Sequence, residues 1–125
     1  MWYLLNILLL LAELINYFHK HCSSPNELAE LYRLVDITII NSNLEGGPYS
    51  LLESLASGVP VISTKVGMAT EVIKNNYNGY LLNINDHRLL TIKIHQLIKN
   101  REKIKLLKMN SIKSARPYSI ENVGV

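Results

Sequence analysis

Apolar and polar positions along the chain switch between two periods. Leu28, Leu31, Tyr32 and Val35 recur at helical spacing after Ser24-Pro25-Asn26-Glu27, which has the form of a capping box with proline at the first helical position. That pattern predicts a helix from Pro25 to about Val35. Asp36-Ile37-Thr38-Ile39-Ile40-Asn41 is a short β-branched run and reads as a buried strand. A second helix is expected from Pro48 to about Ser57, with Gly58 placed to end it. Val59-Pro60-Val61-Ile62-Ser63-Thr64 reads as a second buried strand, with proline tolerable near its first residue. A brief helix follows near Ala69 to Lys74. The cluster Asn75-Asn76-Tyr77-Asn78-Gly79 then signals a turn, and Tyr80-Leu81-Leu82 a third strand. Asn85 or Asp86 can cap a helix carrying Leu90, Ile94, Leu97 and Ile98 on one face, and a basic helix runs from about Arg101 to Ala115.

Strands separated by helices imply right-handed parallel βαβ units. The expected fold class is therefore α/β, a partial doubly wound (Rossmann-like) parallel sheet flanked by helices. In such sheets ligands bind beyond the carboxyl ends of the strands, here the loops after Ile40 and after Thr64.

The first 23 residues do not fit that scheme. Trp2 to Phe18 is mostly Leu and Ile, interrupted by Asn6, Glu13 and Asn16. It lacks the basic start and small-residue cleavage site of a secretory signal. Seventeen residues is short for a membrane span, and an acidic side chain in its middle costs roughly 2–3 kcal/mol on insertion. Three readings stay open: a buried or partner-covered helix, a membrane anchor, or an atypical start. The organisation expected is residues 1–23 as an apolar helix and 24–125 as one α/β domain. With 125 residues and 48% hydrophobic content, a single globular domain is what the length supports.

Charge adds one feature. The net charge is +3, yet nine Lys/Arg and only two acids lie between Ile84 and Arg116. These cations alternate with Leu, Ile and Met rather than with aromatics, which argues against a base-stacking surface and hence against nucleic acid. A solvated helix face or a peripheral contact with anionic lipid are the readings that remain. The single cysteine, Cys22, excludes an internal disulfide and fits a reducing compartment. His19, His21 and Cys22 are close in sequence but lack the paired, separated spacing of a zinc site, so no metal is expected. His87 and His95 are ordinary helix positions.

The chemistry concentrates in Leu44-Glu45-Gly46-Gly47-Pro48-Tyr49-Ser50-Leu51-Leu52-Glu53. Glycines ahead of a helix free backbone N–H groups to face an anion, and the helix dipole favours negative charge there. Pro48 suits the first helical position because its missing N–H would have had no partner. Glu45 then lies in the loop before the helix and Glu53 in its second turn. Two carboxylates flanking a phosphate-binding turn match a ligand with a group on each side of a diphosphate, the layout of a nucleotide-sugar.

Glu45-x7-Glu53 resembles the paired-glutamate motif of group 1 (family 4) glycosyltransferases of the GT-B fold. Glu30-Leu31-Tyr32-Arg33-Leu34-Val35-Asp36-Ile37 is similar to the family's helix and strand entering the donor site. Leu51-Leu52-Glu53-Ser54-Leu55-Ala56-Ser57-Gly58-Val59-Pro60-Val61-Ile62 is similar to its motif helix and following strand. Val66-Gly67, Glu71-Val72-Ile73 and Asn78-Gly79-Tyr80-Leu81-Leu82 complete the order. The match runs from about Ser24 to Leu82, and more loosely to the tail at Arg116–Val123.

The resemblance implies the C-terminal, donor-binding half of a GT-B enzyme, transferring a sugar from a nucleoside diphosphate with retention. Glu45 corresponds to the catalytic-site glutamate that bonds the donor sugar hydroxyls. Glu53 corresponds to the one that holds the ribose. Gly46, Gly47, Tyr49 and Ser50 form the diphosphate cradle, and Gly67, Met68 and Ala69 line the sugar pocket through backbone amides. No metal or cofactor is implied; the nucleotide-sugar is the donor substrate. Lys65, Thr64 and Ser63 lie at the same strand end, where solvation or local bonding is the simpler role.

Two departures stand out. Met68 occupies a position where the family usually has a second glycine. The basic pair that neutralises the diphosphate has no counterpart in residues 1–23, where Lys20 is the only Lys/Arg. The acceptor-binding domain is also outside the chain. The expectation is therefore a domain inactive alone, cytoplasmic or at a membrane surface, either truncated or working with a separately encoded acceptor domain. Alternatives are a non-catalytic nucleotide-sugar binding module and a membrane-associated structural remnant.

Overall fold

The computed structural model describes residues 25–41 and 49–118, within two units, Met1–Leu34 and Val35–Val125. The apolar stretch Trp2–Phe18 and the cap residue Ser24 lie outside the described residues. In the first unit one element is described, helix α1 (Pro25–Leu34). Glu27 in its first turn and Arg33 in its last complement the helix dipole.

The second unit runs β1 (Thr38–Ile40), α2 (Tyr49–Ala56), β2 (Val61–Thr64), α3 (Ala69–Val72), β3 (Gly79–Leu82), α4 (His87–Ile98) and α5 (Arg101–Ala115), then a 3-10 turn at Arg116–Tyr118. The strands form one parallel sheet in the order β1-β2-β3. Thr38 pairs with Val61, and Val61 with Gly79. This is the α/β architecture expected from the alternation of strands and helices.

The strands are shorter than their apolar runs, for identifiable reasons. Asp36 lies outside β1, with its carboxylate 3.2 Å from Lys108 Nζ and 3.4 Å from Arg101 NH1, both on α5. At β2, the Val59 amide is spent on the Ser54 carbonyl (2.9 Å), and Pro60 has no N–H to give, although its carbonyl accepts from Thr38 (3.0 Å).

Side chains alternate between the two sheet faces. Val61, with half-buried Ile40 and Leu81, packs with Leu51 and Leu55 of α2 and with Ala69 and Val72 of α3. Ile62, Tyr80 and Leu82 on the other face pack with Leu97 of α4 and with Ile104 and Leu107 of α5. Both faces are covered, which is why the strands read as unbroken apolar runs rather than as an alternation. Burying each Leu, Ile or Val side chain contributes roughly 1.5–3 kcal/mol.

Helix ends follow local chemistry. At α2 the Gly58 amide bonds the Leu55 carbonyl (3.0 Å) and the Val59 amide bonds that of Ser54, while Gly58 sits at φ 77°. This is a Schellman closure, and it places glycine where a side chain would be strained. Asp86, not Asn85, caps α4, accepting from the Leu89 amide at 3.2 Å. Asn100 caps α5, accepting from the Lys103 amide at 3.1 Å. One expected face needs correction: Ile98 is 65% exposed, and Leu89 packs on the core with Leu90 and Ile94 instead. Ile98 is the final residue of α4, while its neighbour Leu97 is buried in the core.

The turn before β3 proves to be a structural clamp. Asn78 is fully buried. Its Oδ1 accepts from the Lys74 amide (2.8 Å), and its Nδ2 donates to the Val72 carbonyl and to Ser114 Oγ (2.9 Å each). Beside it Gly79 leaves no room for a side chain: a Cβ there would lie 1.8 Å from the Val61 carbonyl oxygen.

Candidate functional site

Because the strands are parallel, the segments leaving β1 and β2 emerge at one edge of the sheet. Thr64 Oγ1 donates to the Ile40 carbonyl at 3.4 Å, tying the two strand ends together. From Ile40 the chain passes through exposed Asn41 into residues 42–48 and then α2. Glu45, Gly46, Gly47 and Pro48 lie in that stretch, outside the described residues.

The start of α2 therefore belongs to this edge. Its inward side holds Leu51, Ser54 and Leu55, all buried. Its outward side carries Ser50 and Glu53, both exposed and three residues apart, with exposed Ser57 in the turn that follows. Tyr49 is the first helical residue. Glu53 sits one turn in and forms no ion pair among the described residues.

What orients α2 is a buried hydroxyl pair. Ser54 Oγ lies 2.7 Å from Thr38 Oγ1 and 2.9 Å from the Val59 carbonyl oxygen. A hydroxyl has one proton, so Ser54 donates to the carbonyl and Thr38 can donate to Ser54. The helix is thus pinned to β1 at its middle and to the start of β2 at its end. A small polar residue inside the apolar face of Leu51-Leu52-Glu53-Ser54-Leu55 was the sequence signal for this anchor.

The segment after β2 is held by backbone bonds. The Lys65 amide donates to the Leu82 carbonyl (2.9 Å), the Val66 amide to that of Thr64 (2.8 Å), and the Ala69 amide to that of Val66 (3.1 Å). Gly67, exposed at φ 52°, forms the apex. Met68 follows, half-buried against the cluster that includes Leu51, Leu55 and Ala69. The side chain that a glycine would lack is therefore packed into the core. Ser63 Oγ bonds the Thr64 carbonyl (2.8 Å), a local role, and Lys65 is solvent-exposed.

Among the described residues, Tyr49, Ser50, Glu53, Gly67 and Met68 thus come from the same carboxyl edge of adjacent strands. Among those residues there is also no cluster of His, Cys, Asp and Glu suited to a metal ion. None of the described helices is long and apolar enough to cross a membrane.

A parallel sheet covered on both faces, with a helix entering from the loop after one strand and a glycine turn after the next, defines an α/β domain of the doubly wound type. The chain belongs to the family described as glycosyl transferases group 1, which matches residues 9–114. An uncharacterised glycosyltransferase of Methanocaldococcus jannaschii is 34% identical over 98 residues, covering 78% of this chain and 28% of that protein. The N-acetyl-alpha-D-glucosaminyl L-malate synthase of Bacillus anthracis is 36% identical over 77 residues, 62% of this chain and 20% of that protein. Among solved structures, the C-terminal domain of a glycosyl transferase group 1 family protein from Francisella tularensis superposes with a TM-score of 0.72 at 30% identity. That alignment covers 78% of this chain and 51% of that structure. The fold is that of the C-terminal domain of these enzymes, and the chain spans about a quarter of the length of the curated relatives.

Proposed function

We propose that the chain is the donor-binding part of a retaining glycosyltransferase that uses a nucleoside diphosphate sugar. The observation that carries the reading is the convergence at one strand edge of an exposed glutamate in the first turns of α2 and a glycine turn after β2, within a chain of this family. Glu53, exposed on α2, is suited to accept hydrogen bonds from ribose hydroxyls. Tyr49 and Ser50 begin the helix, where amides and dipole favour the diphosphate together with Gly46 and Gly47. Glu45, eight positions before Glu53, would face the donor sugar near the reacting carbon. The backbone of Gly67 and Met68 lines the sugar side. Helix-terminal amides stabilise the leaving diphosphate electrostatically, without a metal.

Transfer also needs an acceptor site, which we assign to a separate domain, so residues 24–125 bind donor and do not transfer it alone. The apolar residues 1–23 we keep as a separate N-terminal segment. The exposed face of α5, with Leu106, Met109, Lys105 and Lys113, suits peripheral contact with an anionic membrane on the cytoplasmic side.

Titration of the full chain with UDP-, GDP- and ADP-sugars tests the reading. Binding of one of them, weakened by Glu53→Ala for sugar-nucleotide and bare nucleotide alike, supports it. Glu45→Ala should weaken the sugar-nucleotide more than the nucleotide. Absence of heat with the whole panel refutes donor binding.

A further inference from the structure

The described residues also enclose a groove at the opposite edge of the sheet. It lies where α4 ends, α5 begins and the turn before β3 passes, and has a volume of about 480 Å³. That size is within the range of small-molecule sites. Its polar walls are Asn76, Tyr80, Lys93, Gln96, Asn100 and Lys103. No carboxylate is among them, and neither lysine forms an ion pair among the described residues. Lys93 Nζ stands 4.7 Å from the centroid of the Tyr80 ring, and Lys103 Nζ makes only a long 3.4 Å bond to the Asn76 carbonyl.

Tyr80 is the telling member. It is only 6% exposed, yet its hydroxyl has no hydrogen-bond partner among the described residues. Every buried side-chain polar atom described in this structure does have one. The Tyr80 oxygen must therefore open onto the groove. Its ring is buried while its hydroxyl keeps access to the groove, where it is placed to donate to a bound oxygen. Desolvation also pushes its pKa above the ordinary 10.0.

Two ammonium groups, a phenol O–H and amide side chains form a lining rich in donors. From this geometry we propose that the groove is a second ligand site, for a small molecule bearing a phosphate dianion, separate from the donor edge. The lysines neutralise the charge from two sides, and Tyr80 donates to a phosphate oxygen. Nothing in this assignment depends on the donor-site reading, because the residues come from opposite ends of the strands.

Heteronuclear NMR of the full chain, titrated with inorganic phosphate and with glucose 6-phosphate at matched ionic strength, tests the proposal. Saturable shifts are expected at Tyr80, Gln96, Leu97, Asn100 and Lys103, and not at Tyr49, Ser50 or Gly67. Tighter binding of glucose 6-phosphate would identify an organic phosphate as the ligand; equal binding would identify phosphate itself. Lys93→Gln and Lys103→Gln should each weaken binding by about tenfold or more, as expected for losing a charge-assisted hydrogen bond. Tyr80→Phe keeps the ring and should weaken it about three- to tenfold. The proposal is overturned if chloride alone reproduces the shifts. It fails equally if they spread over Lys99, Lys105 and Lys113, or if folded Lys93 and Tyr80 variants bind as the parent does.

Discussion

Gly79→Ala should cost this protein a large part of its stability, and the structure supplies the reason. An added Cβ would lie 1.8 Å from the Val61 oxygen, 2.8 Å from its carbonyl carbon and 3.0 Å from its nitrogen. All three are backbone atoms of the central strand, so no side-chain rotation relieves the overlap. Restoring an ordinary carbon–oxygen contact of about 3.3 Å requires a separation of roughly 1.5 Å between β2 and the start of β3. The bond that crosses at this point, Val61 amide to Asn78 carbonyl (3.3 Å), cannot stretch that far. Its loss leaves two polar groups poorly satisfied, at about 1–3 kcal/mol each. The sum is about 2–6 kcal/mol, against a total stability of about 5–15 kcal/mol for a typical domain. Gly58→Ala is the control. There the Cβ would meet the flexible end of Ile112 at 3.3 Å, and the cost is mainly the left-handed φ of 77°, about 1–2 kcal/mol. Urea unfolding followed by circular dichroism should show a midpoint drop for Gly79→Ala at least twice that for Gly58→Ala. An equal or smaller drop would refute the reasoning from close backbone approach.

Three further outcomes are expected. Asn78→Ala removes a buried side chain making three hydrogen bonds and strands the Lys74 amide and Val72 carbonyl, so it should cost about 3 kcal/mol, whereas Ser114→Ala, touching one of the three, should cost about 1 kcal/mol or less in the same urea assay. Asp36→Ala breaks contacts to Arg101 and Lys108 that are largely solvated, so its urea midpoint should fall by an amount equivalent to less than about 1 kcal/mol, and the loss should shrink further in high salt. Tyr80 is held protonated by burial, so the unfolded chain ionises first. Stability from this group is present below the ordinary pKa of 10.0 and falls as pH rises through the higher folded value. Tyr80→Phe should therefore flatten the alkaline limb of a stability–pH curve between pH 8 and 11; an unchanged limb would exclude Tyr80 as its source.

Much of this architecture was legible in the chain. Capping residues, β-branched runs and turn residues act within a few positions of themselves, so the order of strands and helices and the βαβ reading followed from local patterns. The Glu45-x7-Glu53 pair, together with the motif segments from Ser24 to Leu82, likewise carried the resemblance to the family. Element ends drifted by one or two residues where another partner took over a backbone group, as the Ser54 carbonyl did with the Val59 amide. The tertiary structure alone decided which side chains are covered. Ile98 keeps helical periodicity with Leu90 and Ile94 yet stays exposed, because coverage depends on what packs opposite and not on spacing. Asn78 and Gly79 read as an ordinary turn, but folding makes one a buried clamp and leaves the other no room for a side chain beside Val61. Met68, an anomaly beside Gly67 in the sequence, turns into the core next to Leu51 and Leu55. The groove around Tyr80 could not be read locally at all: it joins positions from 76 to 103, and only packing β3 against two helices brings its cations together.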